Sequence, residues 1–231
     1  MKRSRTRAQA AKPRARLVAG IDEAGRGPLA GPVVAAAVIL RPSDPIAGVN
    51  DSKLLTATER DRLEIEIRRR SLACAIGWAD VQEIDTLNIL GATLLAMRRA
   101  LLGLALVPKH IQVDGDHCPS LSGLGFTLTG EAIVRGDRQV AAISAASILA
   151  KTFRDRLMRR FDEIYPHYGF RSHVGYSTPE HLRALAAAGP CPLHRASFEP
   201  VRCATEAVRR GESLTVIKRR LVASGAPSRN R

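Results

Sequence analysis

The feature that most restricts the fold is the order of the apolar runs along the chain. Two short runs typical of strands come first, at residues 17–21 and 33–40, and a stretch rich in glycine and proline, residues 25–32, separates them. Two strands joined by a link that contains glycine are typical of a hairpin. Segments with helical periodicity then alternate with further strands, which favours a mixed sheet covered by helices.

The later elements are predicted from the spacing of their apolar side chains. Helices are expected over residues 56–70, 81–104 and 139–161, and strands over residues 71–79, 109–114 and 126–134. Thr178 suits the N-cap of a further helix, because Pro179 would then take its first position. We therefore expect an α/β domain over residues 17–201, with antiparallel strands first and a small helical cap from about residue 165.

The positive charge of the chain lies at its two ends. A chain of 231 residues can form one sizeable domain, and its net charge is +14. Residues 1–16 carry +7 and residues 202–231 carry +6, whereas residues 17–201 carry only +1. We expect a disordered basic arm over residues 1–16 and a basic, partly helical tail over residues 202–231. The arm could solubilise the protein, attract phosphates or act as a transit peptide.

Several classes of protein are excluded by composition. No apolar run approaches the roughly 20 residues of a membrane helix, and no apolar block follows the basic N-terminus as in a secretory signal. The four cysteines are widely spaced and form no C-x-x-C pair, which argues against a zinc finger or a disulfide scaffold. We expect reduced thiols, a cytoplasmic location and no membrane partner.

Four acidic residues occupy positions where ligand sites commonly form. Asp22 and Glu23 end the first strand, Asp114 ends a later strand, and Asp137 precedes the long helix. Clustered carboxylates repel each other unless cations neutralise them, and their oxygen atoms suit Mg²⁺ or Mn²⁺. Two such ions support phosphodiester hydrolysis, so the pattern indicates a metal-dependent nuclease.

Each of these acids also has an ordinary structural interpretation. Asp22-Glu23 before glycines and Asp114-Gly115 are turn signals, and Asp137 suits a helix N-cap. Neighbouring strand residues point to opposite faces, so Asp22 and Glu23 share a site only if the strand bends or ends between them.

The loop at residues 25–27 is a second candidate site. The glycines of Gly25-Arg26-Gly27 let a nucleic-acid backbone approach the main chain. A dinucleotide-binding loop is not favoured, because a strand and not a helix follows.

At these residues the sequence resembles the ribonuclease HII family. The matching motifs are residues 22–28 (DEAGRGP), 30–33 (AGPV), 51–54 (DSKL), 85–90 (DTLNIL), 113–115 (VDG), 136–137 (GD), 143–151 (ISAASILAK), 168–170 (YGF), 173–176 (HVGY) and 194–198 (HRASF). They occur in the family's order and cover about residues 17–201, so the resemblance is specific.

The resemblance implies an RNase H-like fold and an endonuclease that cuts the RNA of RNA–DNA hybrids and nicks DNA duplexes 5′ to embedded ribonucleotides. It implies a repair role in removing such ribonucleotides, and a requirement for Mn²⁺ or Mg²⁺. By match, the metal-binding catalytic residues are Asp22, Glu23, Asp114 and Asp137. Gly25, Arg26, Gly27 and Tyr176 resemble the family's sensors of the ribose 2′-hydroxyl and of the next deoxynucleotide.

Phosphate contacts and partners follow from the same resemblance. Ser52, Lys53, Asn88 and Arg195 are candidates for phosphate contacts, with solvated surface or helix capping as the alternative for each. The expected partners are RNA–DNA hybrid and ribonucleotide-containing DNA. The C-terminal tail is a candidate for contact with a sliding clamp, and a monomer is expected.

Three residues depart from the family pattern. Leu54 stands where the family often has lysine, Asp116 where asparagine is frequent, and Arg138 where a small residue is common. A non-catalytic RNA-binding protein that acts through its basic tails is the main rival. Ribonuclease HIII carries an additional N-terminal domain that residues 1–16 are too short to supply, and a scaffold role leaves the carboxylates unexplained.

Overall fold

A five-stranded mixed sheet is the centre of the fold. The computed structural model describes residues 17–49 and 55–212. The strands are β1 (Val18–Ala24), β2 (Val33–Ile39), β3 (Ala73–Ala79), β4 (His110–Asp114) and β5 (Thr129–Ile133). They lie in the order β3-β2-β1-β4-β5, with β1 antiparallel to β2 and parallel to β4. The expected mixed sheet with antiparallel N-terminal strands is confirmed.

The helices cover both faces of this sheet. They are α1 (Ala57–Arg70), α2 (Val81–Leu102), α3 (Ala141–Ile164), α4 (Phe170–His173), α5 (Pro179–Ala188) and α6 (Glu199–Arg209). The core on one face is formed with α2, and the core on the other face with α1 and α3. Every residue of β2 is therefore buried, which explains its continuous apolar sequence VVAAAVI.

Local sequence signals account for where several helices begin. Thr56 and Asp80 each form a capping box with the glutamate three residues later, at the starts of α1 and α2. The N-cap predicted at Thr178 is confirmed, since its side chain accepts a hydrogen bond from His181 N at 3.3 Å and Pro179 begins α5. These signals act over three residues and can be read directly from the sequence.

The long helix α3 packs unusually close to the sheet. A Cβ atom at Gly20 of β1 would lie 2.2 Å from the main chain of Ala142, which is far shorter than any allowed contact. Glycine at this position therefore lets the first turn of α3 rest directly on β1. This contact fixes α3 beside the strand that carries Asp22 and Glu23.

The C-terminal helices form the expected cap. α5 and α6 bury Leu182, Leu185, Val201 and Ala204 against each other and against Leu29. The domain boundary expected after residue 201 falls within α6, while residues 1–16 and 213–231 lie outside the described part of the chain.

β5 begins at Thr129 and not at residue 126, because Phe126 and Leu128 pack onto the core from the preceding segment.

Within residues 17–49 and 55–212, no helix combines the length and apolar character needed to cross a bilayer.

Candidate active site

Two parallel strands bring two of the predicted carboxylates together. β1 and β4 are neighbours in the sheet, with Ile21 opposite Val113. Asp22 and Asp114 each follow one residue later. Because parallel neighbours lie about 4.8 Å apart, the two acids lie side by side at the same edge of the sheet.

Glu23 joins them from the other face of β1. The strand continues in regular pairing, with Asp22 opposite Ala36 and Glu23 opposite Ala35, so the bend that we expected between the two acids is absent from β1. Their side chains therefore start on opposite faces. Asp114 is nevertheless close enough for its charge to raise the pKa of both carboxyl groups. The three acids meet around the edge of the sheet.

Asp137 reaches the same edge from a turn that precedes α3. Residues Gly136–Arg138 form one turn of 3₁₀ helix, in which Asp137 is only 3% exposed. The main-chain N–H of Asp137 donates a hydrogen bond to Asp114 Oδ1 at 3.2 Å. The N-cap of α3 is Val140, so Asp137 does not have the plain capping role considered from the sequence.

Burial and repulsion between carboxylates dominate the electrostatics of Asp22 and Glu23. Burial raises the pKa of Asp22 well above its usual range, the charges of Glu23 and Asp114 raise it further, and a hydrogen bond with Ser147 lowers it. Burial also raises the pKa of Glu23, against the opposing effect of Arg26, whose Nη1 lies 3.4 Å from Glu23 Oε1. Cations placed among these groups would relieve the repulsion.

The donor set fits Mg²⁺ or Mn²⁺, since it consists of carboxylate oxygens from four acids. Within residues 17–49 and 55–212, no group of three or more His, Cys, Asp or Glu side chains is already arranged to hold a metal ion. The acids thus lie in one cluster but not in ligating geometry, and their side chains would have to reorient on binding.

A cavity of about 410 Å³ opens beside Glu23. Its lining includes the loop Gly25–Gly27 and the ring of Tyr176, which is 44% exposed. Arg60 of α1 and Lys151 of α3 add positive charge to the lining. The site therefore combines an acidic cluster that suits cations with a basic and aromatic lining that suits a polyanion.

The two glycines of the loop have different surroundings. Gly25 has a φ of +92°, and a Cβ atom there would lie 2.0 Å from Arg154 Nε. At Gly27 a Cβ atom would meet only Tyr176 Cε1, at 3.7 Å. Gly25 is therefore required for packing against Arg154, and Gly27 is the position that leaves room beside Tyr176.

The four residues predicted to contact phosphates lie in different surroundings. Asn88 interrupts α2 with a φ of 60°, and its Oδ1 accepts hydrogen bonds from the main-chain N–H groups of Leu90 and Gly91, so it caps the second part of that helix. Arg195 is fully buried and does not fit a direct phosphate contact. Ser52 and Lys53 lie outside the described residues, as does Leu54.

The buried guanidinium of Arg195 donates hydrogen bonds to main-chain carbonyls of the Gly25–Gly27 loop and of Gly31. Nη2 donates to Gly25 O at 2.6 Å, Nη1 to Arg26 O at 2.9 Å, and Nε to Gly31 O at 2.9 Å. The other departures from the family pattern are at the surface: Asp116 pairs with His117, and Arg138 is exposed. Neither departure contributes to the cavity lining.

Sequence reasoning assigned no role to three polar residues of α3. Ser147, Lys151 and Arg154 all line the cavity. Their spacings of four and three residues place them on one helical face, next to the predicted apolar stripe. This periodicity was the available signal, but polar spacing alone does not tell a solvated face from the wall of a site.

The sheet order and the acids at adjoining strand ends define the RNase H-like class of α/β nucleases, and solved structures agree. Ribonuclease H2 from Pyrococcus horikoshii OT3 matches with a TM-score of 0.71 and 30% identity, over 84% of this chain and 99% of that one. The RNase HII in a PCNA:RNase HII complex from Archaeoglobus fulgidus matches with a TM-score of 0.66 and 26% identity, over 80% of this chain and 95% of that one.

Within this class the chain belongs to the ribonuclease HII family. The family model for ribonuclease HII matches residues 19–201. The ribonuclease HII of Paracidovorax citrulli is 60% identical over 190 residues, which cover 82% of this chain and 77% of that protein. Enzymes of this family cleave the RNA of RNA–DNA hybrids, so the resemblance and the prediction of a type 2 ribonuclease H are confirmed.

Proposed function

We propose that this enzyme, besides cleaving the RNA of hybrids, nicks DNA duplexes on the 5′ side of embedded ribonucleotides. One observation carries the proposal: Asp22, Glu23 and Asp114 meet at one sheet edge beside a cavity lined by Gly25–Gly27 and Tyr176. Such nicks would begin the removal of ribonucleotides from DNA, and a cytoplasmic location accords with that role.

Asp22, Glu23, Asp114 and Asp137 would hold two Mg²⁺ or Mn²⁺ ions. When bound, such ions activate water for in-line attack on phosphorus and stabilise the departing 3′-oxygen. The fold holds the four acids close together although their charges repel each other, and this repulsion favours the binding of cations. Cleavage in this sense leaves a 5′-phosphate and a 3′-hydroxyl.

Two walls of the cavity, the Gly25–Gly27 loop and the ring of Tyr176, would select the sugar. The main chain at Gly25–Gly27 can approach the ribose closely and recognise its 2′-hydroxyl, the group that separates RNA from DNA. The exposed ring of Tyr176 can pack on the following sugar only where that sugar lacks the hydroxyl. Arg26 and Lys151 supply positive charge for the phosphates on either side.

A labelled DNA duplex with one ribonucleotide tests this function. We expect cutting 5′ to that ribonucleotide with Mg²⁺ or Mn²⁺, no cutting in chelator, and a loss of about 10³-fold or more for Asp114→Asn, because the site loses a charge that holds the cations. The same duplex without the ribonucleotide is the control. Equal cutting of that all-DNA duplex would refute the proposed selection of the sugar.

Metal binding can be tested without measuring cleavage. Titration of the protein with Mn²⁺ in a calorimeter should give binding that Asp22→Asn weakens strongly. Mn²⁺ binding that Asp22→Asn leaves unchanged would place the metal site elsewhere.

The C-terminal tail is proposed to contact a sliding clamp. An archaeal RNase HII has been solved in complex with PCNA, which supports such a contact in a relative. Full-length protein should bind the clamp of its own organism, and a variant that ends at residue 212 should not. Equal binding by both would place the contact elsewhere.

A further inference from the structure

Arg154 is a buried arginine that connects the two walls of the cavity. It is 1% exposed and projects from α3. Its Nε donates to Pro32 O at 3.0 Å and its Nη2 to Ala30 O at 3.0 Å, just after the loop Gly25–Gly27. Its Nη1 donates to Val174 O at 2.9 Å, two residues before Tyr176.

The two walls also touch each other directly. Leu29 N donates to Gly175 O at 2.8 Å, and a Cβ atom at Gly175 would lie 2.6 Å from Ala30 O. Glycine at position 175 therefore permits this close approach. The planar guanidinium of Arg154 lies across the junction, and its fixed fork of donors makes the spacing of the bonded carbonyls rigid.

The Gly25 contact adds a third constraint. Arg154 Nε occupies the space that a Cβ atom of residue 25 would need, at 2.0 Å. The position of the loop is therefore set by the side chain of Arg154 as well as by its hydrogen bonds. A buried guanidinium is costly to desolvate, and an apolar side chain of similar length would serve simple packing at lower cost.

We propose that Arg154 is a positioning residue that sets the spacing between the Gly25–Gly27 loop and Tyr176, and thereby the preference for a ribonucleotide followed by a deoxyribonucleotide. The inference rests on the proposed function, in which these two walls read adjacent sugars. A change in this spacing should slow cleavage of a duplex with one ribonucleotide, which needs both walls. It should slow cleavage of a uniform RNA–DNA hybrid less, because the hybrid offers a 2′-hydroxyl at every position of its RNA strand.

The test compares two substrates in the full-length protein. Arg154→Lys keeps the charge but cannot bridge three carbonyls in one plane, and Arg154→Met removes the charge while keeping much of the length. For both variants, kcat/KM on a duplex with one ribonucleotide, divided by kcat/KM on a uniform RNA–DNA hybrid, should fall about tenfold or more, since a misplacement of 1 Å can cost about 10²-fold in rate.

Arg160→Lys is the matched control, because Arg160 is exposed on the same helix. It should leave both activities and their ratio unchanged. A general loss of stability would lower both activities together, so an unchanged ratio in the two Arg154 variants overturns the inference. Failure of both variants to fold at the assay temperature also overturns it, since Arg154 would then support the whole fold. If the wild-type protein does not nick the single-ribonucleotide duplex, the proposed function fails instead.

Discussion

At the scale of single residues, the two glycines of the Gly25–Gly27 loop should respond differently to the same change. Gly25→Ala places a side chain in a left-handed conformation and against Arg154, so it should lower the free energy of unfolding by about 1–3 kcal/mol. Gly27→Ala meets only Tyr176 at 3.7 Å and should leave stability nearly unchanged while weakening cleavage. Urea unfolding of both variants checks this. Equal destabilisation would contradict the distinct roles.

The acids of the site should reduce stability while no cation is bound. Asp22 is buried beside Glu23 and Asp114, and its raised pKa means that its contribution to stability is present at low pH and is lost as pH rises through the folded value. Asp22→Asn should therefore raise the Tm of the metal-free protein at pH 8, by about 2–4 °C for each kcal/mol of relief.

Calorimetry in chelator at pH 8 and at pH 4 measures this effect. The gain in Tm should shrink as pH falls to 4, because protonation of Asp22 removes its repulsion with Glu23 and Asp114. Added Mn²⁺ should raise the Tm of the wild type more than that of the variant. A variant that is less stable than the wild type at pH 8 would contradict the repulsion on which the site is built.

At the scale of elements, the helical conformation of α2 is interrupted at a single residue. The apolar period predicts one helix across residues 81–104, and the helix does span Val81–Leu102, but Asn88 leaves the helical region inside it. The side chain of Asn88 replaces the lost main-chain bonds by accepting from Leu90 N at 2.9 Å and Gly91 N at 3.1 Å. The break was not visible in the spacing of apolar residues.

Substitution of Asn88 separates its capping role from a phosphate contact. Asn88→Ala should lower the free energy of unfolding by about 1–2 kcal/mol, and Asn88→Gly, which accepts the positive φ, by less. Chemical denaturation of the two variants measures the difference. If both leave stability intact and raise KM for the duplex equally, the phosphate contact is the correct interpretation.

At the scale of the whole molecule, three buried histidines join the segments of the C-terminal cap. His194 Nε2 lies 3.0 Å from His181 Nε2, His181 Nδ1 lies 2.8 Å from Tyr176 O, and the ring of His173 stacks on His181. Cys191 N donates to His194 Nδ1, so the neutral His194 carries its proton on Nε2 and donates it to His181. The bonding pattern requires both rings to be neutral.

This cluster should make the protein sensitive to mild acid. Burial lowers the pKa of His181 to about 4 and that of His194 to about 3. Their contribution to stability is therefore present above pH ~6.5, the value in the unfolded chain, and is lost as pH falls toward the folded values. Between pH 6.5 and 5 the two groups together should lower the free energy of unfolding by about 3 kcal/mol.

Urea unfolding at pH 7, 6 and 5 measures this loss, with His194→Gln as the comparison. The variant should lose less stability over the same range, because one of the two histidines that take up protons on unfolding is gone. Asp22 and Glu23 act in the opposite direction and are common to both proteins. Identical pH dependence in the two proteins would contradict the assignment to the histidines.

The sequence alone determined the elements and the chemistry available to them. Apolar periods of two and of three to four placed the strands and helices, and the capping residue Thr178 placed the start of α5, because these signals act between near neighbours. The four acids and the glycine loop could also be named as candidates, because carboxylates at strand ends suit divalent cations and because the motifs that contain them resemble those of the ribonuclease HII family.

Only the tertiary structure decided how these parts meet. That Glu23 reaches Asp114 from the opposite face, and that Arg154 and Arg195 hold the loop side of the cavity, depends on contacts across more than 90 residues of chain. The two arginines bond to main-chain carbonyls, which every residue possesses. A hydrogen bond to such a group requires no particular side chain in its partner, so it leaves no pattern in the sequence from which it could be predicted.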